Sequence, residues 1–312
     1  MAMQKEANPD TQLQMVKDFE QKYPSSVLLS DVYFFGASAS EQKNNVPQAL
    51  GYGEKSLKLH ADNLRSLILM ASLLPIPQAL QGSDSQKEQQ LDQSESDSQH
   101  ALQLLGKLPT PAGTSEDQFK KSKSMIEAQL HAAMGMAHLE KAILAVKDQA
   151  PPELAADKKS QSQESDAGPN EALRSYQQAQ NYERQGRIDD AIGAYTQAAQ
   201  EGQGTDIAQY ANNMVQQLNT EKTELAAAEQ EFKAAIASPQ PNPQDYYRLG
   251  EVYVREAKLD DAINVFTQAA QTGQGTVLQR YADGMVQKLK AAKAKNAPPP
   301  ASPSPSPAAK PQ

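Results

Sequence analysis

Histidines are the residues of this chain that could bind a metal or carry a proton near neutral pH. There are four, and two of them, His131 and His138, lie seven residues apart with Glu140 nearby. Two histidines on one helix reach the same ion most easily at a spacing of i, i+4. The observed spacing instead favours a packed helix face, and His60 and His100 lie elsewhere in the chain. We therefore predict no metal site and no cofactor.

A glycine turn resembles a phosphate-binding loop, because free N–H groups at a helix start attract anions. The turn is Gly202-Gln203-Gly204, but no third glycine or lysine follows it, and the same sequence recurs at 273–275. The acidic pairs at 189–190 and 260–261 recur in the same way, where carboxylates complement the dipole at a helix start. Recurrence at equivalent places indicates structural turns and helix starts.

The sequence shows no catalytic motif. It has no Cys and no G-x-S-x-G, H-E-x-x-H or Walker pattern. We predict no catalytic residues and no enzymatic activity. An enzyme would need a pocket within residues 101–147, where the repeats described below are least regular.

The amino-acid composition narrows the range of possible fold classes and partners. Only 38% of the 312 residues are hydrophobic and 5% aromatic, and the residues Ala, Gln and Ser are abundant, which favours helix over sheet. A net charge of −8 argues against a general nucleic-acid binder, which would carry a basic face. No apolar run reaches about 18 residues, so we expect no transmembrane segment. The first residues lack the layout of a signal peptide. The chain as written predicts a cytoplasmic protein, or a periplasmic one if an export signal has been removed.

An internal repeat is the clearest organising feature. Residues 184–218 align with 255–289 at an offset of 71, and 20 of the 35 positions are identical. We predict a helix over 171–186, a second opened by the acidic pair at 189–190, a third over 207–218 and a fourth over 221–237. The 71-residue unit would then hold two helical hairpins of about 34 residues each, the period of a stacked helical repeat. This predicts an all-α solenoid of antiparallel helical hairpins.

Proline and charge divide the chain into blocks. We predict N-terminal hairpins over 10–147 with a disordered acidic insertion at 81–100, a disordered acidic linker at 148–171, and a C-terminal array over 172–293. The helix at 277–293 would cap this array, and the Pro-rich tail at 296–312 would be disordered. Both acidic stretches have too few apolar residues to offset the entropy lost on ordering.

The hairpins resemble the tetratricopeptide repeat (TPR) family. That family places a small residue and aromatics where the helices of a hairpin approach closely. Such residues occur here in two sets, Ala179, Tyr182, Ala191, Tyr195 and Ala198, and then Gly250, Tyr253, Ala262, Phe266 and Ala269. An earlier unit is similar, with Tyr33, Gly36, Ala49, Gly53 and Ser56 in the same frame. The opening segment 19–36 resembles repeats of bacterial envelope proteins. A GQG turn replaces the proline with which the family ends each hairpin.

The resemblance implies a binding groove lined by the first helix of each hairpin. It places seven residues there, Tyr176, Gln180, Arg184, Tyr247, Arg248, Glu251 and Arg255. Tyr and Arg are common binding hot spots. The Lys and Asn that clamp a C-terminal carboxylate in chaperone-binding members are absent, which disfavours a chaperone co-factor.

The resulting prediction is a non-enzymatic scaffold that binds a peptide or partner protein in the concave groove. The alternative is a bacterial cell-envelope structural or assembly factor whose precursor carries an export signal. A lysine cluster, Lys288, Lys290, Lys293, Lys295 and Lys310, either completes a helix C-terminus or makes a weak contact with an anionic surface.

Overall fold

The computed structural model describes residues 2–146 and 167–296. These residues form thirteen α-helices and no strand. The helices are α1 (Ala2–Lys5), α2 (Pro9–Lys22), α3 (Leu29–Gln42), α4 (Val46–Leu59), α5 (Leu64–Leu73), α6 (Asp84–Lys107), α7 (Glu116–Ala145), α8 (Ala167–Arg184), α9 (Ile188–Glu201), α10 (Asp206–Ile236), α11 (Pro243–Arg255), α12 (Leu259–Thr272) and α13 (Val277–Asn296). Nearly all of the expected linker and tail lie outside the described residues. The exceptions are the start of α8, which begins four residues before Glu171 inside the expected linker, and Asn296, which ends α13.

Three hairpins share one turn geometry. In α3–α4, α8–α9 and α11–α12, the second residue before the new helix has a positive φ, at Asn44 (57°), Gly186 (70°) and Ala257 (55°). In each turn the next N–H reaches back five residues, as in Arg187 N to Tyr182 O at 2.9 Å and Lys258 N to Tyr253 O at 2.8 Å. This left-handed cap ends one helix and starts the next in a fixed direction. The protein is thus an α-solenoid of antiparallel, TPR-like hairpins.

Small residues let the helices of each hairpin approach closely. A Cβ on Gly250 would lie 2.7 Å from the ring of Phe266, so this position has no room for a side chain. Of the ten residues carrying the repeat pattern, nine are buried and Tyr182 is half-buried. The core is therefore built from alanines and aromatic rings in the way that the spacing predicts.

The expected disorder of residues 81–100 is wrong, because this segment forms most of α6. A capping box at Ser83 and Gln86 starts the helix. Its inner face carries Leu91 and small polar residues, and Ser94 Oγ donates to Ala71 O on α5 at 2.8 Å. Serine lets α6 approach α5 closely while its hydroxyl finds an acceptor. The small number of apolar residues in this segment was therefore a poor guide to its packing, because Ser94 packs and hydrogen bonds against α5.

The expected break between a third and a fourth helix is also wrong, since 206–236 form the single helix α10. No Gly or Pro lies between Leu218 and Glu221, so nothing ends the helix there. Its second half packs along α7, where Gly135 lies against the ring of Phe232. The repeated unit thus holds three helices, α8–α10 in the first copy and α11–α13 in the second.

Within residues 2–146 and 167–296, no helix is both long and apolar enough to cross a bilayer.

Candidate binding groove

The groove residues predicted from the sequence lie on α8 and α11, the first helices of two hairpins. Tyr176 and Tyr247 occupy equivalent positions on them and pack edge-on against the next helix, Tyr176 on Tyr195 and Tyr247 on Phe266. The centroid distance is 5.1 Å in both pairs. Tyr247 is half-buried, but Tyr176 is only 3% exposed. The expectation that Tyr176 offers its ring to a ligand is therefore not met, because the ring fills the hairpin core.

A second tyrosine lies beside each of these and was missed by the sequence reasoning. Tyr210 on α10 interacts electrostatically with Tyr176, and Tyr281 on α13 interacts in the same way with Tyr247. Tyr210 is 41% exposed and Tyr281 63% exposed. The repeat itself carried the signal, since both tyrosines are retained at the offset of 71 residues. The exposed aromatic surface thus comes from the third helix of each unit.

The two arginines predicted on α11, Arg248 and Arg255, lie near carboxylates of α11 itself and of two other helices, α7 and α10. Arg248 Nη1 lies 2.7 Å from Glu251 Oε2, and Arg255 Nη1 lies 3.7 Å from Glu221 Oε1 on α10. Glu140 of α7 lies close enough to both arginines to feel their charge. Burial raises the pKa of the Glu140 and Glu221 carboxyl groups, and the guanidinium charges offset part of that rise. The structure therefore brings α7, α10 and α11 together in one partly buried charged surface.

The two remaining predicted residues lie one unit earlier, on α8. Gln180 is half-buried and hydrogen bonds to Tyr176, while Arg184 is exposed and its Nε donates to Gln180 O at 3.2 Å. The neighbouring Glu183 accepts a hydrogen bond of 2.8 Å from the buried Tyr195 hydroxyl. On α8 the polar residues thus mainly hold the hairpin together, whereas α11 presents charge.

The acidic pairs at the helix starts also bind lysines of the next helix. Asp189 lies 2.5 Å from Lys222 Nζ, and Asp260 lies 2.5 Å from Lys293 Nζ, so both copies repeat the contact. Lys293 therefore has a structural partner. The other lysines of the cluster on α13 are exposed, and Lys310 lies outside the described residues.

Comparison with known proteins adds the fold neighbours but no family. No family model matches the sequence, and no curated protein matches it. Among solved structures, a tetratricopeptide repeat protein from Parabacteroides merdae covers 89% of this chain and 91% of its own, at 12% identity and a TM-score of 0.26. Yeast Tom70 covers 91% of this chain and 58% of its own, at 15% identity and a TM-score of 0.21. The fold assignment rests on the hairpins themselves, and they define a TPR-like helical repeat protein.

Proposed function

We propose that the protein is a non-enzymatic interaction scaffold that binds a peptide or partner protein along the surface formed by α8, α10, α11 and α13. The observation that supports this most is the repeated exposed tyrosine, Tyr210 in the first unit and Tyr281 in the second. Exposed tyrosines beside arginines are typical of binding surfaces, because the ring supplies contact area at little entropic cost. A ligand that contacts both units gains from two similar sites in tandem.

The charged surface on α11 extends this binding area. Arg248 and Arg255 are each paired, but neither is fully buried, with side chains 38% and 35% exposed. A carboxylate on the ligand would compete with Glu251 for Arg248, which lies only one helical turn from it. The scaffold would therefore favour a segment that carries an acidic residue next to a side chain that packs on tyrosine.

Binding by the full chain tests the proposal. A displayed peptide library would be selected on the immobilised protein, and the affinity of each selected peptide measured by calorimetry. Replacing Tyr210 and Tyr281 together by Ser should weaken binding by about 100-fold, since each anchor contributes at least about 1.4 kcal/mol. The matched control is Tyr23→Ser at the C-cap of α2, which removes a tyrosine that is 47% exposed and distant in sequence from the groove.

Two outcomes would contradict the proposal. One is that the selected peptides bind the double variant as tightly as the parent chain. The other is that the Tyr23→Ser control weakens binding as much as the double variant does. The bacterial cell-envelope alternative stays a separate prediction, tested by whether an in-frame apolar segment is encoded upstream of Met1. Contact of the lysine cluster with an anionic surface is tested by vesicle binding at low and high salt.

A further inference from the structure

Three side chains from three different helices converge where α6, α7 and α10 come together. Glu95 of α6, His138 of α7 and Glu224 of α10 form this three-helix cluster, and their ligand atoms all lie within 4.8 Å of one another. His138 Nδ1 is 2.7 Å from Glu224 Oε2 and 3.4 Å from Glu95 Oε1. The three side chains are 18–21% exposed. One imidazole and two carboxylates form a donor set suited to zinc.

The charge around the cluster is unbalanced. Glu95 and Glu224 are partly buried carboxylates of the cluster, and Asp92, which is 67% exposed, also pairs with Lys141, so three carboxylates lie around this one ammonium group. Uncompensated charges in a partly buried site are costly, and a divalent cation offsets them. Glu95 Oε1 is buried and pairs with Lys141 Nζ at 2.6 Å. A metal at this oxygen would have to displace that ammonium group.

Among the residues that the structure describes, Lys141 supplies the ammonium group that already occupies part of the cluster. Its Nζ lies 2.6 Å from Glu95 and also 2.6 Å from Asp92. Because Lys141 has two carboxylate partners, it can release Glu95 and keep Asp92. A metal would then take its place between Glu95, Glu224 and His138.

The geometry and the access both suit a small ion. Two zinc ligands at bond lengths of about 2.0–2.2 Å in a tetrahedral site lie roughly 3.3 Å apart. The gaps of 2.7 and 3.4 Å to His138 Nδ1 lie on either side of this value, so small side-chain rotations suffice. A cleft of about 560 Å³ between α6, α7 and α10 opens beside Lys141 and Glu224 and provides a path from solvent.

We propose that Glu95, His138 and Glu224 form a zinc site that ties α6, α7 and α10 together. The ion would join the N-terminal hairpins to the repeated C-terminal unit through the long pair α7 and α10. This replaces the expectation of no metal site. That expectation considered ligands on a single helix, whereas these ligands come from three.

Titration of the metal-free full chain with zinc chloride tests the site by calorimetry, with thermal unfolding as a second readout. We expect one zinc per chain and a rise in Tm, because an ion that binds only the folded state stabilises it. His138→Gln and Glu224→Gln should each weaken zinc binding by at least about tenfold, since two ligands remain. Lys141→Met should tighten binding, because it removes the competing cation.

The matched control is His131→Gln. His131 lies two turns away on the same helix and pairs with Glu231 of α10 at 2.7 Å, and within residues 2–146 and 167–296 no third ligand atom joins this pair. This variant should bind zinc like the parent chain. The proposal is overturned if His138→Gln and Glu224→Gln bind zinc as the parent does, if His131→Gln weakens binding equally, or if Lys141→Met leaves affinity unchanged.

Discussion

In the first copy of the repeated unit the Tyr195 hydroxyl donates to Glu183, whereas in the second copy Phe266 and Val254 occupy these two places. The second copy lacks both the hydroxyl donor and its carboxylate acceptor, so neither copy buries an unpaired polar group at this point. Despite the exchange, the ring pairs cross at nearly the same interplanar angle, 67° in the first copy and 69° in the second. The comparison shows that the hairpin geometry is retained while compatible sets of side chains replace one another.

The largest expected effect comes from the position where the first copy has Ala179 and the second Gly250. Gly250→Ala should lower the free energy of unfolding by about 3 kcal/mol, because the new Cβ would overlap the buried Phe266 ring. Urea unfolding measures this. The control Gly193→Ala has open space around the new Cβ and should stabilise by up to about 1 kcal/mol through helix propensity. A Gly250→Ala chain as stable as the parent would show that the contact with the Phe266 ring is not limiting.

A buried carboxyl distinguishes the second copy, where Asp245 occupies the place of the exposed Arg174. Burial raises the pKa of Asp245 from 3.8 to about 6. The unfolded chain therefore ionises first, and stability falls as pH rises from 3.8 through 6. Asp245→Asn should remove this loss and stabilise the protein at pH 7 by on the order of 3 kcal/mol, since each pKa unit between 3.8 and about 6 is worth about 1.4 kcal/mol.

Unfolding free energies measured between about pH 4 and pH 8 test this effect of Asp245. Parallel curves for the parent and the variant over that range would argue against it.

The hydroxyl exchange can be tested by making the second copy resemble the first. Phe266→Tyr alone should destabilise by about 1.5 kcal/mol, because the buried hydroxyl faces Val254. Adding Val254→Glu should recover much of this loss. A double-mutant cycle from urea unfolding measures the coupling, and strictly additive effects would show that the two positions do not interact.

Substitutions at the turn residues should change the free energy of unfolding least. Ala257 holds a positive φ of 55° where the first copy has Gly186. Ala257→Gly should stabilise by roughly 0.5 kcal/mol, because the relief of left-handed strain exceeds the added unfolded-state entropy. Gly186→Ala should destabilise, since its Cβ would also come within 3.1 Å of Ala257 Cβ. Thermal unfolding of both variants checks the signs, and a loss of stability in Ala257→Gly would contradict the strain argument.

The sequence predicted the hairpins well where apolar spacing and turn residues repeat. The starts of α9 and α12 follow from their acidic pairs, and the buried set around Tyr195 and Phe266 follows from helical periodicity. Prediction failed where packing depends on small polar residues, as at Ser94 in α6, because composition does not reveal a hydroxyl bonded to a neighbouring backbone. It also failed at Leu218, where no breaker separates the two halves of α10.

The binding residues were less predictable than the fold. Resemblance placed Tyr176 in the groove, but edge-on packing against Tyr195 buries its ring. Glu140 and Glu221 join the charged surface from helices distant in sequence, and only the tertiary packing of α7 against α10 shows this. The acids and the histidine of the three-helix cluster come together for the same reason.

The continuity of α10 sets the phase between the two units. Its 31 residues span about 46 Å at 1.5 Å per residue, with no hinge along that length. Each residue inserted near Glu221 would turn everything beyond it by about 100°. The continuous helix therefore fixes both the distance and the rotation between the two exposed tyrosines. A ligand that contacts both must match that fixed arrangement.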